Sequence, residues 1–236
     1  MRRRDEELSK GWGQIATPLP IQTKGGIQQI NCSNTEGIFR IVQSIPSPKA
    51  EPFKRWLAKV GYERVQEIED PELATKRTRA LYKLKGYSDD WIEKRMRGII
   101  IREELTDEWK NRGADEQRDY EILTAEISKA TFGITPSEYK KIKGLKRENL
   151  RDNMDDFELI FTMLGEKSTT EIHKTENSYG KEKLKKDAGR GGRIAGIAKT
   201  ELEKEIGRKI VSKKNFWLEK KQPKSIRGVR GYETNN

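Results

Sequence analysis

The alternation of apolar and polar positions begins as a strand pattern and turns helical after about thirty residues. Two β-favouring runs, Ile15–Ile21 and Ile27–Asn31, flank the polar connection Gln22-Thr23-Lys24-Gly25-Gly26 and predict a β-hairpin. Pro18 and Pro20 confine the first run to an edge or irregular strand. From Ser33 the period lengthens. Ser33 and Glu36 have the spacing of a capping box, and Ile38, Phe39, Ile41, Val42 and Ile45 follow at helical intervals. Pro46 and Pro48 end this helix and start the next, in which Phe53, Trp56, Leu57 and Val60 form an apolar stripe. Asp70-Pro71 opens a third helix and Gly86 ends it.

Ser88-Asp89-Asp90 caps a long segment carrying Trp91, Ile92, Arg95, Met96, Ile99 and Leu105, which Thr106–Trp109 restarts or continues. Gly113 and Gly133 bracket a helix with Tyr120, Leu123, Ile127 and Ala130 inward, and Thr135-Pro136-Ser137-Glu138 is a further capping box. Phe157–Leu164 is one more striped helix. Beyond Thr169 aromatics thin out. Gly189-Arg190-Gly191-Gly192-Arg193 reads as a flexible basic hinge, Ile194–Ile206 as a short amphipathic helix ended by Gly207, and Lys213–Arg230 as a mobile stretch. The fold class expected is α+β, predominantly α-helical. The segments are a hairpin-plus-helix region (1–70), a helical region (71–172) and a basic, partly disordered tail (173–236).

Composition adds a polyanion to this picture. Of the 236 residues 37% are charged and 33% hydrophobic, against about 25% charged in an ordinary domain. Lys and Arg outnumber Asp and Glu by 49 to 38. Residues 170–236 hold 18 basic and 9 acidic side chains, whereas the first 169 hold 31 and 29. A basic tail on a near-neutral body fits a polyanion partner and a merely solvated tail equally well. The lone Cys32 permits no internal disulfide, and no apolar run approaches the ~20 residues of a membrane span. Met1 to Glu7 lacks the apolar stretch of a secretory signal, so a soluble cytoplasmic protein is expected.

Catalytic chemistry finds few residues to work with. His173, the only histidine, sits in a polar stretch and is expected to be exposed; Cys32 is expected as a small buried residue near a strand end. One Cys and one His are too few soft ligands for structural zinc, and no cofactor is implied. The pairs Glu103-Glu104, Asp89-Asp90 and Asp155-Asp156 suit helix starts and charged surfaces. Gly189–Gly192 lacks the phosphate-loop pattern. Phe53, Trp56, Trp91, Trp109 and Phe157 are expected in the core, leaving Trp12 and Phe216-Trp217 as candidates for base stacking. The basic residues are more telling. Arg2, Arg3 and Arg4 precede the hairpin, Lys24 is in its turn, and Lys49, Lys54 and Arg55 begin the helix that follows. A hairpin wing beside a helix N-terminus suits duplex phosphates. Arg190 and Arg193, among glycines, suit a nucleic acid backbone or a plain linker equally.

The run from Asn34 to Gly61, NTEGIFRIVQSIPSPKAEPFKRWLAKVG, resembles the end of a Bro-N domain, in the version found in prophage antirepressors and in the DNA-damage-inducible protein D family. The resemblance continues through Gly86–Arg95, Leu105–Trp109, Thr135–Lys141, Gly144–Asn153, Ser168–Ile172 and the Gly191-Gly192…Ala195-Gly196 segment. It implies a non-enzymatic DNA-binding regulator of the phage or SOS-response kind, with DNA as partner. The alternative is a helical module that docks on a repressor or a recombination protein. Oligomeric state stays open. In that family a hairpin and a helix usually precede the segment matching Ile15–Asn31, and Met1 falls near the end of that helix. The first part of the Bro-N domain is therefore expected to be missing.

Overall fold

The hairpin forms with a tighter turn than the sequence predicts. In the computed structural model, which describes residues 10–114 and 116–215, β1 (Thr17–Thr23) and β2 (Gly26–Cys32) pair antiparallel from Thr17↔Cys32 to Thr23↔Gly26. The loop is only Lys24-Gly25, because Gln22 and Thr23 join the ladder. Gly26 has φ +102°, which a side chain would resist. The Thr23 hydroxyl accepts from the Gly25 N–H at 3.2 Å and donates to the Gly26 carbonyl at 2.8 Å. Thr23 and Gly26 form the hydrogen-bonded pair that closes a two-residue loop. Pro18 and Pro20 then fall at alternate, non-hydrogen-bonded positions, where no ladder donor is lost.

A one-turn helix α1 (Trp12–Ile15) precedes the hairpin; α2 (Thr35–Gln43), a 3-10 turn (Pro48–Ala50) and α3 (Glu51–Glu69) follow it. The α2 cap lies one residue later than expected. Asn34 accepts from the Gly37 N–H at 2.8 Å, while the Ser33 hydroxyl donates to the Ile15 carbonyl and ties the end of β2 to α1. Phe39 of α2 meets Phe53 and Trp56 of α3 edge-on, with ring centroids 5.3 and 6.0 Å away. This cluster is small. Trp56 stays 48% exposed, so it rims the core it was expected to fill.

The chain divides into two compact units, residues 1–77 and 78–236, and α4 (Pro71–Leu84) carries it across the division. The second unit holds α5 (Asp89–Asn111), α6 (Gln117–Phe132), α7 (Pro136–Ile142), a 3-10 turn (Arg151–Asn153), α8 (Asp156–Thr175) and α9 (Lys181–Ile206). The ends are fixed as the sequence predicts. Ser88 caps α5, the Thr135–Glu138 capping box starts α7, and the left-handed Gly207 (φ +67°) ends α9. Helix α5 runs on through Thr106–Trp109, and α8 extends past Leu164 to Thr175.

Gly189–Arg193 is no hinge. It lies inside the 26-residue α9, which packs on both α6 and α8. Glycine is poor in helices when only propensity acts, but here it admits a close crossing. A Cβ on Gly191 would stand 2.6 Å from the Thr169 backbone nitrogen, and one on Gly192 would stand 2.6 Å from the Ile127 carbonyl oxygen. Residues 181–206 of the expected basic, partly disordered tail therefore form a core helix, and the expected mobile stretch Lys213–Arg230 lies outside the described residues from position 216 on. Residues 207–215 also return to the core, with Ile210 and Asn215 buried. Two apolar clusters hold the unit. One joins Tyr87, Trp91, Ile92, Phe132, Tyr139 and Ile210 with their neighbours, and the other gathers around Leu105, Trp109, Leu123, Ile127 and Leu184. Phe157, expected inside, is 38% exposed on the first turn of α8.

The polar interior of this unit is built from ion pairs closed on several sides. Lys143 and Glu158, both fully buried, pair at 2.6 Å, and Lys143 also donates to the Lys214 carbonyl at 2.7 Å. Glu158 completes the Asp155 capping box of α8 and accepts from the Ser212 N–H at 3.2 Å. One carboxylate thus ties α7, the start of α8 and the returning C-terminal segment together.

Candidate nucleic-acid interface

Cross-strand partners share a face of the hairpin, and the two faces differ. From the register, Pro18, Pro20, Gln22, Ile27, Gln29 and Asn31 lie on one side, while Leu19, Ile21, Gln28 and Ile30 lie on the other. The second side is apolar and partly covered, with Leu19, Ile21 and Ile30 between 39 and 44% exposed. The first carries three exposed amides, Gln22, Gln29 and Asn31, beside Pro18, Pro20 and an exposed Ile27. Amide side chains both donate and accept, so they suit phosphate oxygens and base edges alike. From Thr17 to Cys32 there is no carboxylate; the one charge is Lys24, exposed at the tip.

The cations chosen from sequence separate into three groups. Lys24, Lys49, Lys54 and Arg55 belong to the first unit; Lys49 lies on the 3-10 turn, and Lys54 and Arg55 lie on the first turns of α3. Lys49 and Arg55 are exposed and Lys54 is half-buried. Arg55 pairs with Glu51 at 3.2 Å, but both partners are well exposed and such a pair is easily exchanged for a phosphate. From Lys10 to Val60 the chain carries seven basic and two acidic residues, so the positive field concentrates around the hairpin and the start of α3. Arg190 and Arg193 belong to the second unit, at the middle of α9. Arg190 is engaged by Glu176 at 2.6 Å and Asp187 at 3.0 Å, while Arg193 is exposed. Arg2, Arg3, Arg4, Phe216 and Trp217 lie outside the described residues.

Charge along the sequence does not reveal the exposed amides; their signal is a stretch of sixteen residues, Thr17–Cys32, with four amide side chains, one lysine and no acid.

His173 is not exposed. It is fully buried, and its Nε2 accepts from the Trp109 indole N–H at 3.2 Å. The other nitrogen, Nδ1, faces Asp187 at 3.6 Å. Burial holds the imidazole below its ordinary pKa, opposed by the Asp187 carboxylate. A serine stands nearby, but the Ser178 hydroxyl donates to Asp187 at 2.6 Å and not to the imidazole. That order cannot make Ser178 a nucleophile by way of His173. Cys32 is half-buried at the end of β2, where burial was expected. Among the described residues no group of three or more His, Cys, Asp and Glu side chains can hold a metal ion. Among them, too, no helix is long and apolar enough to cross a membrane.

Residues 2–65 match the family model of the BRO family, N-terminal domain. The match takes in the hairpin, α2 and most of α3, and stops before the second unit. No curated protein matches the chain.

Proposed function

We propose, from the match of residues 2–65 to the family model of the BRO family, N-terminal domain, that this protein is a DNA-binding regulator of the phage antirepressor type. In this reading the hairpin and the start of α3 meet the duplex together. The observation that carries the reading is the acid-free hairpin, with an amide face of Gln22, Gln29 and Asn31 and Lys24 at its tip. Lys24, Lys49, Lys54 and Arg55 contact phosphates and fix the register, and the amides reach base edges or further phosphates. A role in the DNA-damage response is a finer part of the proposal and rests on the resemblance of the second unit to the DNA-damage-inducible family. The reading is non-enzymatic.

The test is fluorescence anisotropy of labelled duplex and single-stranded DNA across a salt series. Four phosphate contacts predict a slope of log affinity against log salt of about −3.6. Absence of binding at low salt, by protein shown to be folded, refutes the proposal.

A second reading is favoured by one observation. Ile194 and Ile197 of α9 are 47 and 65% exposed, three residues apart on one helix face. Here the helical unit docks on a repressor or a recombination protein. Ile197→Glu separates the two readings, since it would abolish partner binding and leave DNA affinity unchanged.

A further inference from the structure

A cleft of about 650 Å³ opens in the second unit between α6, α7 and the segment leading into α8. That volume is within the ordinary range for small-molecule sites. Its apolar lining includes the buried Ile127, Phe132 and Met154, and Tyr120 lines it too. Tyr120 is itself stacked on Trp109, with ring centroids 6.1 Å apart and planes 15° from parallel.

At the polar end two guanidinium groups converge on one oxygen. Arg102 approaches Glu166 Oε1 at 3.4 Å, and Arg151 donates to the same atom. Arg102 also donates to the Thr124 hydroxyl at 2.7 Å, and its guanidinium lies 4.7 Å from the centre of the Trp109 ring. Glu166 is buried, and the arginine side chains are 22 and 20% exposed. A carboxylate that served only to neutralise a buried arginine would need one partner. Here one negative charge faces two positive ones in a place largely withdrawn from water, which costs free energy unless an anion completes the group. The Arg102 pKa is lowered chiefly by burial and further by the Arg151 charge, with Glu166 opposing both. Lys140 on the rim adds a third cation, against Glu121.

We propose that this cleft binds a small organic phosphate, a flat ring joined to a phosphoryl group as in a nucleoside monophosphate. The spare N–H donors of Arg102 and Arg151 hold the phosphoryl oxygens in forked geometry, and the ring lies against Tyr120 over the apolar floor. The inference stands independently of DNA binding by the first unit.

Isothermal titration calorimetry on the full chain tests it, with the four nucleoside monophosphates, adenosine and inorganic phosphate as probes. The monophosphates are expected to bind, adenosine at least tenfold more weakly, and inorganic phosphate to compete. Arg151→Met should weaken binding at least tenfold. Glu166→Gln should tighten it several-fold, because it removes the carboxylate that occupies the guanidiniums. Lys140→Ala, on the rim, should weaken it several-fold and serves as the second variant if Arg151→Met fails to fold by circular dichroism. Failure of all four monophosphates to bind overturns the proposal. So does adenosine binding as tightly as its monophosphate, or an affinity indifferent to Arg151 and Lys140.

Discussion

Replacing Gly191 with alanine should destabilise the second unit, whereas the same change two residues earlier should stabilise it. A Cβ on Gly191 would stand 2.6 and 2.7 Å from the backbone N and Cα of Thr169. Carbon atoms rest at about 3.5–4.0 Å, so α8 or α9 must retreat by roughly 1 Å along a buried crossing. The obstacle is backbone, which cannot rotate away. Overpacking of this kind costs about 1–3 kcal/mol, and the helix gain of alanine over glycine returns about 1 kcal/mol. The net expectation is a loss of about 1 kcal/mol. At Gly189 the added Cβ meets only the Glu126 side chain, at 3.4 and 3.7 Å. There the propensity gain of about 0.5–1 kcal/mol should survive. Thermal unfolding followed by far-UV circular dichroism reads both. For a chain of this size, Gly191→Ala should lower Tm by about 2–4 °C and Gly189→Ala should raise it by about 1–4 °C. A solvated linker would tolerate both changes alike. Equal effects at the two sites, or a stable Gly191→Ala protein, would refute the close crossing.

His173 makes stability depend on pH near neutrality. Its folded pKa is lowered, chiefly by burial, so between that value and the unfolded value of about 6.5 the unfolded chain binds the extra proton. Stability is therefore complete above about pH 6.5 and falls as pH drops through it; urea midpoints at pH 5.5 and 7.5 should differ in wild type and converge in His173→Gln, and equal midpoints in wild type would count against the burial. Lys143→Met strands the buried Glu158 carboxylate and should cost about 3–5 kcal/mol, partly restored by adding Glu158→Gln; a Lys143→Met protein with unchanged urea midpoint would show that the pair carries little. Truncation before Gly207 removes the buried Ile210 and Asn215 and should unfold the second unit. A thermal scan of that truncation equal to the full chain's would contradict the docking of that segment.

Local chemistry was legible and long-range chemistry was not. The hairpin, the Thr135–Glu138 box, the Ser88 cap and the Gly207 stop all depend on residues within a few positions of one another, and each forms. Gly189–Arg193 misled because glycine next to arginine has the local signature of a linker, while the reason for these glycines lies in Thr169 and Ile127, brought close only by the bundle. His173 misled in the same way. Its polar sequence neighbours suggested solvent, but its neighbours in space include Trp109 and Asp187, 64 and 14 positions away. In the first unit the stripe Phe53–Val60 forms the helix its spacing predicts but only part of the core, since Trp56 remains half in water. The charge count found Lys24, yet only the register showed that Gln22, Gln29 and Asn31 share one face of the hairpin.

The central claim is that the hairpin and the start of α3 grip DNA through phosphates. Its most direct measurement is the salt dependence of duplex affinity for wild type beside Lys24→Ala. Lys24 is exposed at the tip, so its removal should leave the fold intact. The account predicts weaker binding and a slope shallower by about 0.9, the loss of one phosphate contact. An unchanged affinity and slope would contradict it.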